Sequence, residues 1–324
     1  MLPQFSYVRP DTVKGTVKHL NEKNAAIHAG GTDLIGCLRD GIMQADKIVS
    51  LGALSYLHGI RETKDGGLII GALTTITEVA ENLLVQQKYP GLSQGASEVA
   101  SPQLRNQGTI GGNLCQKSRC WYYRGEFHCR RKGGKTCYAL DGEHQFHAIF
   151  GHDFICVITH PSDTAPPLAA LSAQLKISGP RGSRTVPVAD FFVLPVENPQ
   201  VETVLQPGEL VTHIVLPAPA KNLRSSYRKV RARRSWDFAL AGLALALEIN
   251  DDTVTGSRVY LSGAAPVPWR SRPVEEAITG RQLDDATIRK AARAVVEEAT
   301  PILGNTYKMD LFKGVVEEEL WAIR

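Results

Sequence analysis

"HAGGTDL" (His28–Leu34) follows a short apolar run, "AAI" (Ala25–Ile27), and "TIGGN" (Thr109–Asn113) repeats the pattern further along the chain. Each stretch sets two glycines where a strand hands over to the next element. Glycine lets main-chain N–H groups face an anion with no side chain in the way. Thr32, Thr109 and Asn113 add side-chain donors. Neither stretch is the G-x-G-x-x-G of a dinucleotide fold or the G-x-x-x-x-G-K-[ST] of a P-loop. A single Gly-Gly turn usually only joins two elements. Two of them in consecutive α+β units predict a diphosphate cradled from both sides, with the rest of a dinucleotide lying between the units.

Around these loops the pattern is regular. Residues 10–55 read as helix, strand, helix, strand: Asp11 is placed to cap a helix with Val13, Val17 and Leu20 on one face, and "ADKIVSL" (Ala45–Leu51) is a second strand. In residues 56–180, Asp65-Gly66-Gly67 marks a hairpin, and Thr75 with Glu78 forms a capping box over a helix that turns Ile76, Val79, Ala80 and Leu83 inward. From 181, "ELVTHIVLP" (209–217), "SSYRKVRARR" (225–234), "FALAGLALALEI" (238–249) and "VTGSRVYLSGAAP" (254–266) read as successive strands of one antiparallel sheet, followed by three helices to 323. The expected class is α+β, with units at 1–55, 56–180 and 181–324.

One segment breaks this order. Of six cysteines, Cys115, Cys120, Cys129 and Cys137 fall close together and Cys156 follows, within a stretch at about 116–156 that has no core pattern of its own. A loop that long is functional or stapled by something. In a chain this large, clustered thiols predict a metal or redox centre rather than a disulfide scaffold. Positions 120, 129, 137 and 156 are 9, 8 and 19 apart, which matches neither paired C-x2-C zinc spacing nor the compact ferredoxin run. Four thiolates drawn from one long loop can still hold a cubane cluster, which would supply the core the loop lacks, with zinc and free thiols as the alternatives. His144, His147 and His152 are taken as surface residues or neighbours of the ligands, and Cys37 as a small buried apolar residue. "CRRKGGK" (Cys129–Lys135) either offsets cluster charge, turns in solvent or docks a partner.

The composition, 43% hydrophobic and 22% charged, is that of a globular chain, and a net charge of +4 is too small to argue for nucleic acid. No apolar run approaches the ~18–20 residues of a membrane span, and the start lacks the pattern of a signal peptide. A cytoplasmic protein is expected, with folded export beside a signal-bearing partner as the alternative.

Five stretches in order, "AGGTDL", "TIGGNLC", "PSDTAPPLAAL" (161–171), "GELVTHIVLP" (208–217) and "YRKVRARR" (227–234), resemble the flavin-binding medium subunit of the molybdenum hydroxylases, the xanthine dehydrogenase and carbon monoxide dehydrogenase family. The resemblance covers nearly the whole chain. It implies two N-terminal α+β units of the PCMH/VAO type clasping FAD, and a C-terminal domain of antiparallel sheet and helices. Carried over stretch by stretch, FAD contacts fall on Ile27, His28, Ala29, Gly30, Gly31, Thr32 and Asp33, on Thr109, Gly112 and Asn113, and on Asp163, Val211 and Lys229. Without the resemblance, Asp163 reads as a helix cap and "RKVRARR" as the solvated face of a strand.

The insertion resembles that of a subgroup, 4-hydroxybenzoyl-CoA reductase and certain bacterial aldehyde oxidoreductases, whose flavin subunit holds an extra [4Fe-4S] cluster. By order in the loop this implies Cys120, Cys129, Cys137 and Cys156 as ligands, with Cys115 left out. The family implies an electron-transfer subunit with no acid–base machinery of its own. Its partners would be a large molybdopterin subunit and a small [2Fe-2S] subunit, doubled into a dimer of heterotrimers, with ferredoxin, NAD, quinone or oxygen as external carrier. "HAIFG" and "HPSDTAP" lean toward the aldehyde branch. The rival readings are a zinc-stabilised nucleic-acid-binding protein and a stand-alone flavin oxidoreductase.

Overall fold

In the computed structural model, which describes residues 2–324, twelve strands form three sheets joined by short helices. The first sheet is parallel: β1 (Ser6–Val8), β2 (Ala25–His28) and β3 (Lys47–Ser50), with β3 central. Parallel pairing requires a crossover; the helix Val13–Leu20 supplies one and Leu34–Arg39 the other. The first is capped by Thr12, one residue beyond the expected Asp11, because the Thr12 hydroxyl reaches the Gly15 N–H at 3.1 Å.

The second sheet is antiparallel and runs β4 (Ile60–Glu62), β5 (Leu68–Gly71), β8 (Leu210–Leu216), β6 (Gln174–Gly179), β7 (Gly182–Pro187) in space. This corrects the expectation that "ELVTHIVLP" joins the strands after it. β8 slots between β5 and β6 instead, pairing Ile214 with both Ile70 and Leu175. The expected capping box is present, with Glu78 accepting from the Thr75 N–H at 2.8 Å.

The third sheet is β12 (Trp269–Arg270), β11 (Thr253–Ser262), β10 (Ala241–Asn250), β9 (Leu223–Val230), also antiparallel. Alternation in β10 sorts its two faces. Leu243, Leu245 and Leu247 pack on the C-terminal helices through Ile288, Phe312 and Val316, whereas Ala244 and Ala246 face the central core. Alanines on that side let the buried helix Ala165–Ala170 lie close to the sheet. The architecture is mixed α+β: an N-terminal pair of units and a C-terminal sheet backed by helices. Among the described residues no helix is long and apolar enough to cross a membrane.

The insertion leaves the second unit after Leu114 and holds only one short helix, Trp121–Arg124, and one 3-10 turn, Arg130–Lys132. Its own apolar cluster is small: Cys137, Ala139 and Val157. Its far end is fastened instead by the C-terminal segment. Thr300 N–H bonds Ile149 O, Asn305 Nδ2 bonds the carbonyls of His147 and Ala148, and the fully buried Lys308 ammonium bonds His147 O at 3.0 Å and Gly263 O at 2.6 Å.

Candidate functional site

The two glycine loops meet. β2 ends at His28, and the chain turns through Gly31 at φ +73°, a conformation glycine takes without strain. At Gly30 an added Cβ would lie 2.0 Å from the Gln107 carbonyl oxygen and 3.2 Å from Gly108 Cα. The first loop is thus seated against the backbone that leads into the second. Thr109 opens the short helix Ile110–Leu114 and accepts from the Gly112 N–H at 3.2 Å. Asn113 Oδ1 accepts from Ser162 at 2.5 Å and Thr164 at 2.7 Å, which ties the second loop to the stretch around Asp163. Thr32 and Gly112 are exposed, and Ile27 and Ala29 pack behind the first loop. His28 Nδ1 is buried with no hydrogen-bond partner among the described residues.

Gly30→Ala is expected to force the loops apart. Overpacking of this kind costs about 1–3 kcal/mol, and FAD affinity should fall at least tenfold in a flavin-fluorescence titration, while Gly36→Ala, where nothing lies within 4 Å of an added Cβ, should bind normally. Equal binding by both variants would argue against a cradle at this junction.

Asp33 faces away from the loop mouth. It accepts from the Lys117 N–H at 2.7 Å and pairs with Arg124 at 2.8 Å and Arg119 at 3.0 Å. Burial works to raise its pKa, but Arg119, the Lys117 N–H and Arg124 outweigh it and hold the carboxyl below its usual value. Asp33 therefore moors the start of the insertion to the first loop. Cys37 is fully buried beside it, with Arg124 Nη1 at 3.0 Å from its sulfur.

Asp163 and Lys229 are brought together in a sealed ion pair, Nζ to Oδ2 2.7 Å, with side chains 5% and 0% exposed. Tyr227 donates to the other carboxylate oxygen at 2.8 Å, and Lys229 also donates to Glu98 O at 3.0 Å. Burial pushes Asp163 upward against these partners. Lys229 is therefore not on a solvated strand face, although its neighbour Arg228 is exposed, and the cap of the following helix is Thr164 rather than Asp163. Val211 lies in the core of β8, behind the second loop, to which that strand is linked by Ala72: Gly111 N–H bonds Ala72 O, and Ala72 N–H bonds Thr212 O.

Cys120, Cys129, Cys137 and Cys156 all line one cavity. Cys115 stays outside it, against the central core, where burial pushes its thiol up to about 12. Nearby backbone N–H groups favour the thiolates, those of Tyr122 and Tyr123 at Cys120, those of Val157, Ala139 and Leu140 at Cys137, and that of Ile158 at Cys156, while burial works the other way and pushes Cys120 up to about 11. The neighbouring Cys156 thiol holds Cys137 below the ordinary thiol range, while Cys137 and burial push Cys156 well above it. Arg131, 5% exposed, also lines the cavity; it pairs with Glu202 at 2.9 Å and leaves Nε buried and unpartnered among the described residues. Among the described residues no three Cys, His, Asp or Glu side chains close around a single ion. A tetrahedral zinc would need its sulfurs at ~2.3 Å from one point; a cubane takes each thiolate at a separate corner.

A second cavity adjoins the first and shares Cys120 and His147 with it. It opens between the insertion, the stretch Thr159–Pro161 and the loop Asp237–Leu240. Three of its residues carry buried nitrogens that lack a partner among the described residues: Arg119 Nε, His147 Nδ1 and His160 Nε2. Burial lowers His147 to about 4 and His160 to about 3, so both rings are neutral. Ser262, also in the lining, lies beside Tyr227, which donates to Asp163. Sequence reasoning missed Arg119 and His160. A lone arginine or histidine carries no spacing signal, and only the folded cavity groups them.

The domain model described as "FAD binding domain in molybdopterin dehydrogenase" matches residues 3–219, and "CO dehydrogenase flavoprotein C-terminal domain" matches 225–319. The chain is 36% identical to the aldehyde oxidoreductase FAD-binding subunit PaoB of Escherichia coli (strain K12), over 99% of this chain and 98% of that one. It is 26% identical to the carbon monoxide dehydrogenase medium chain of Hydrogenophaga pseudoflava, over 99% and 98%. The structure of carbon monoxide dehydrogenase from H. pseudoflava superposes with a TM-score of 0.79 at 26% identity, covering 100% of this chain and 98% of that one. Quinoline 2-oxidoreductase from Pseudomonas putida 86 shares the fold, with a TM-score of 0.77 at 22% identity, covering 100% and 98%.

Proposed function

This chain belongs to the FAD-binding subunits of the molybdopterin dehydrogenases, an oxidoreductase family, and we propose that it holds FAD and a [4Fe-4S] cluster side by side as an electron-transfer subunit. The observation that carries the cluster is the cavity lined by all four insertion thiols, with N–H donors near the sulfurs and an incompletely partnered buried guanidinium beside them. Thiolates that share a cluster carry net negative charge, and these donors offset it. The insertion's small apolar core gives the same reading a folding reason: bound metal supplies the missing centre.

For FAD, the support is the junction of the two glycine loops and the three unpartnered nitrogens of the adjoining cavity. Main-chain N–H groups at 29–33 would take the diphosphate, and the second loop, whose N–H groups at 110–113 bond within the protein, would add the Asn113 side-chain amide and the open surface at Gly112. Asp163, held by Lys229 and Tyr227, would stand beside the remainder, and the cavity between Arg119, His147 and His160 would receive the ring. When bound, FAD exchanges single electrons with clusters and pairs with an external partner. The chain's own residues bind, orient and exclude water; the proposal gives none of them a proton-transfer role.

Molybdenum chemistry is assigned to a large partner and [2Fe-2S] centres to a small one, in line with a relative named as a medium chain. An aldehyde is the favoured substrate class, following the name of the 36% identical relative. The zinc-stabilised nucleic-acid reading draws little from the structure, because Arg119, Arg124 and Arg131 turn inward onto Asp33 and Glu202. Co-expression with candidate partners tests the assembly. Two further polypeptides should co-purify, and an aldehyde should bleach the flavin of the complex but not of the isolated chain. Aldehyde turnover by the chain alone would overturn the proposal.

A further inference from the structure

Building on the cluster reading above, we propose that His147 is a positioning residue for the [4Fe-4S] cluster: it donates from Nε2 to the Cys120 sulfur and presents Nδ1 to the adjoining cavity, so that one imidazole joins the two redox sites. Nε2 lies 3.2 Å from Cys120 Sγ. A thiolate bound to iron has no proton to give, so the hydrogen sits on Nε2 and Nδ1 is left as an acceptor. That acceptor is buried, lacks a partner among the described residues, and belongs to a residue that lines both cavities. A buried lone pair left unmatched is unfavourable, which points to a donor supplied by the occupant of the second cavity.

The backbone is built to hold this ring still. His147 N–H bonds His144 O, while His147 O accepts from Lys308 Nζ at 3.0 Å and Asn305 Nδ2 at 3.2 Å. Both donors are fully buried on the C-terminal segment. Burying an amine is costly, and burial lowers that of Lys308 to about 7; here it fixes residues 146 and 147 of a loop with little core of its own. Trp121 and Tyr122 flank the imidazole, with ring centroids at 6.1 Å and 6.5 Å. The N–H···S bond draws charge from sulfur and favours the reduced, more negative cluster.

The test is a potentiometric titration of the cluster in the purified complex, followed by EPR. His147→Leu should lower the midpoint potential: at a fixed potential the reduced-to-oxidised ratio should fall about tenfold, a shift of about 59 mV for one electron. His147→Gln keeps a donor near the same place and should lie closer to the wild type. An unchanged potential in His147→Leu with iron intact overturns the proposal, as does an equal shift in both variants. Should His147→Leu fail to assemble, wild-type protein labelled with 15N-histidine decides: the reduced cluster should show a weak nitrogen coupling that His147→Gln lacks, and its absence from the wild type overturns the proposal. A wild type with no cluster signal sinks the cluster reading itself, an outcome distinct from a cluster that ignores His147.

Discussion

Cys137→Ser is expected to strip the insertion of iron while leaving FAD in place. Cys137 is buried among N–H donors and is already biased toward thiolate by Cys156. A serine hydroxyl is far less acidic than a thiol and lacks the soft sulfur that iron–sulfur clusters select. Loss of an outer-shell contact alone costs ~10–100-fold in metal affinity, so loss of a ligand should cost at least that. The loop should then loosen, because Cys137 is one of only three buried residues, with Ala139 and Val157, in its apolar cluster. Iron analysis and limited proteolysis read both effects: iron should fall to background, and cleavage should concentrate within 116–156. Cys115→Ser should keep its iron, since that thiol lies outside the cavity. Full iron in Cys137→Ser, or its loss in Cys115→Ser, contradicts the assignment.

Lys229→Met is the second large effect. It leaves the Asp163 carboxylate sealed with only Tyr227 to stabilise it. Breaking one side of a buried pair costs about 3–5 kcal/mol, whereas replacing both sides by apolar residues is often close to neutral. Chemical denaturation should show Lys229→Met strongly destabilised and Asp163→Leu/Lys229→Met largely restored, a coupling that a double-mutant cycle extracts. FAD binding separates a structural role from a cofactor role. The restored double variant should fold yet bind FAD poorly, because Asp163, which Lys229 holds in place from behind, is proposed to stand beside the cofactor. Normal FAD affinity in that variant would leave Asp163 and Lys229 a purely structural pair.

What the sequence disclosed was local. Gly30 and Gly31 announce their loop because the absence of a Cβ is written in the residue itself, and the fold uses that absence at the Gln107 carbonyl. The hairpin at Asp65-Gly66-Gly67 and the capping box of Thr75 with Glu78 are closed within a few residues. Strand β8 shows the limit. Its alternation says that a strand exists, but its partners β5 and β6 are distant in the chain, and no local signal chooses them over β9. The cap at Thr12 rather than Asp11 is a one-residue slip between two good capping side chains.

The same division holds at the site. The four cavity cysteines were identifiable by order in the loop, yet their uneven spacing gave no geometry. What fastens the loop beside them is Asn305 and Lys308, from a segment that reads as an ordinary helical tail. Asp163 and Lys229 were each singled out, but their pairing needed the third sheet to deliver Lys229 inward while Arg228 faced solvent. His147 and His160 became significant only as the edges of a shared cavity.

Flavin and metal content of the anaerobically purified chain is the most direct measurement of the central claim. The account predicts one FAD and a four-iron cluster per chain, with iron and acid-labile sulfide in equal amounts. Protein that carries FAD but only zinc, or no metal, on its cysteines would contradict it.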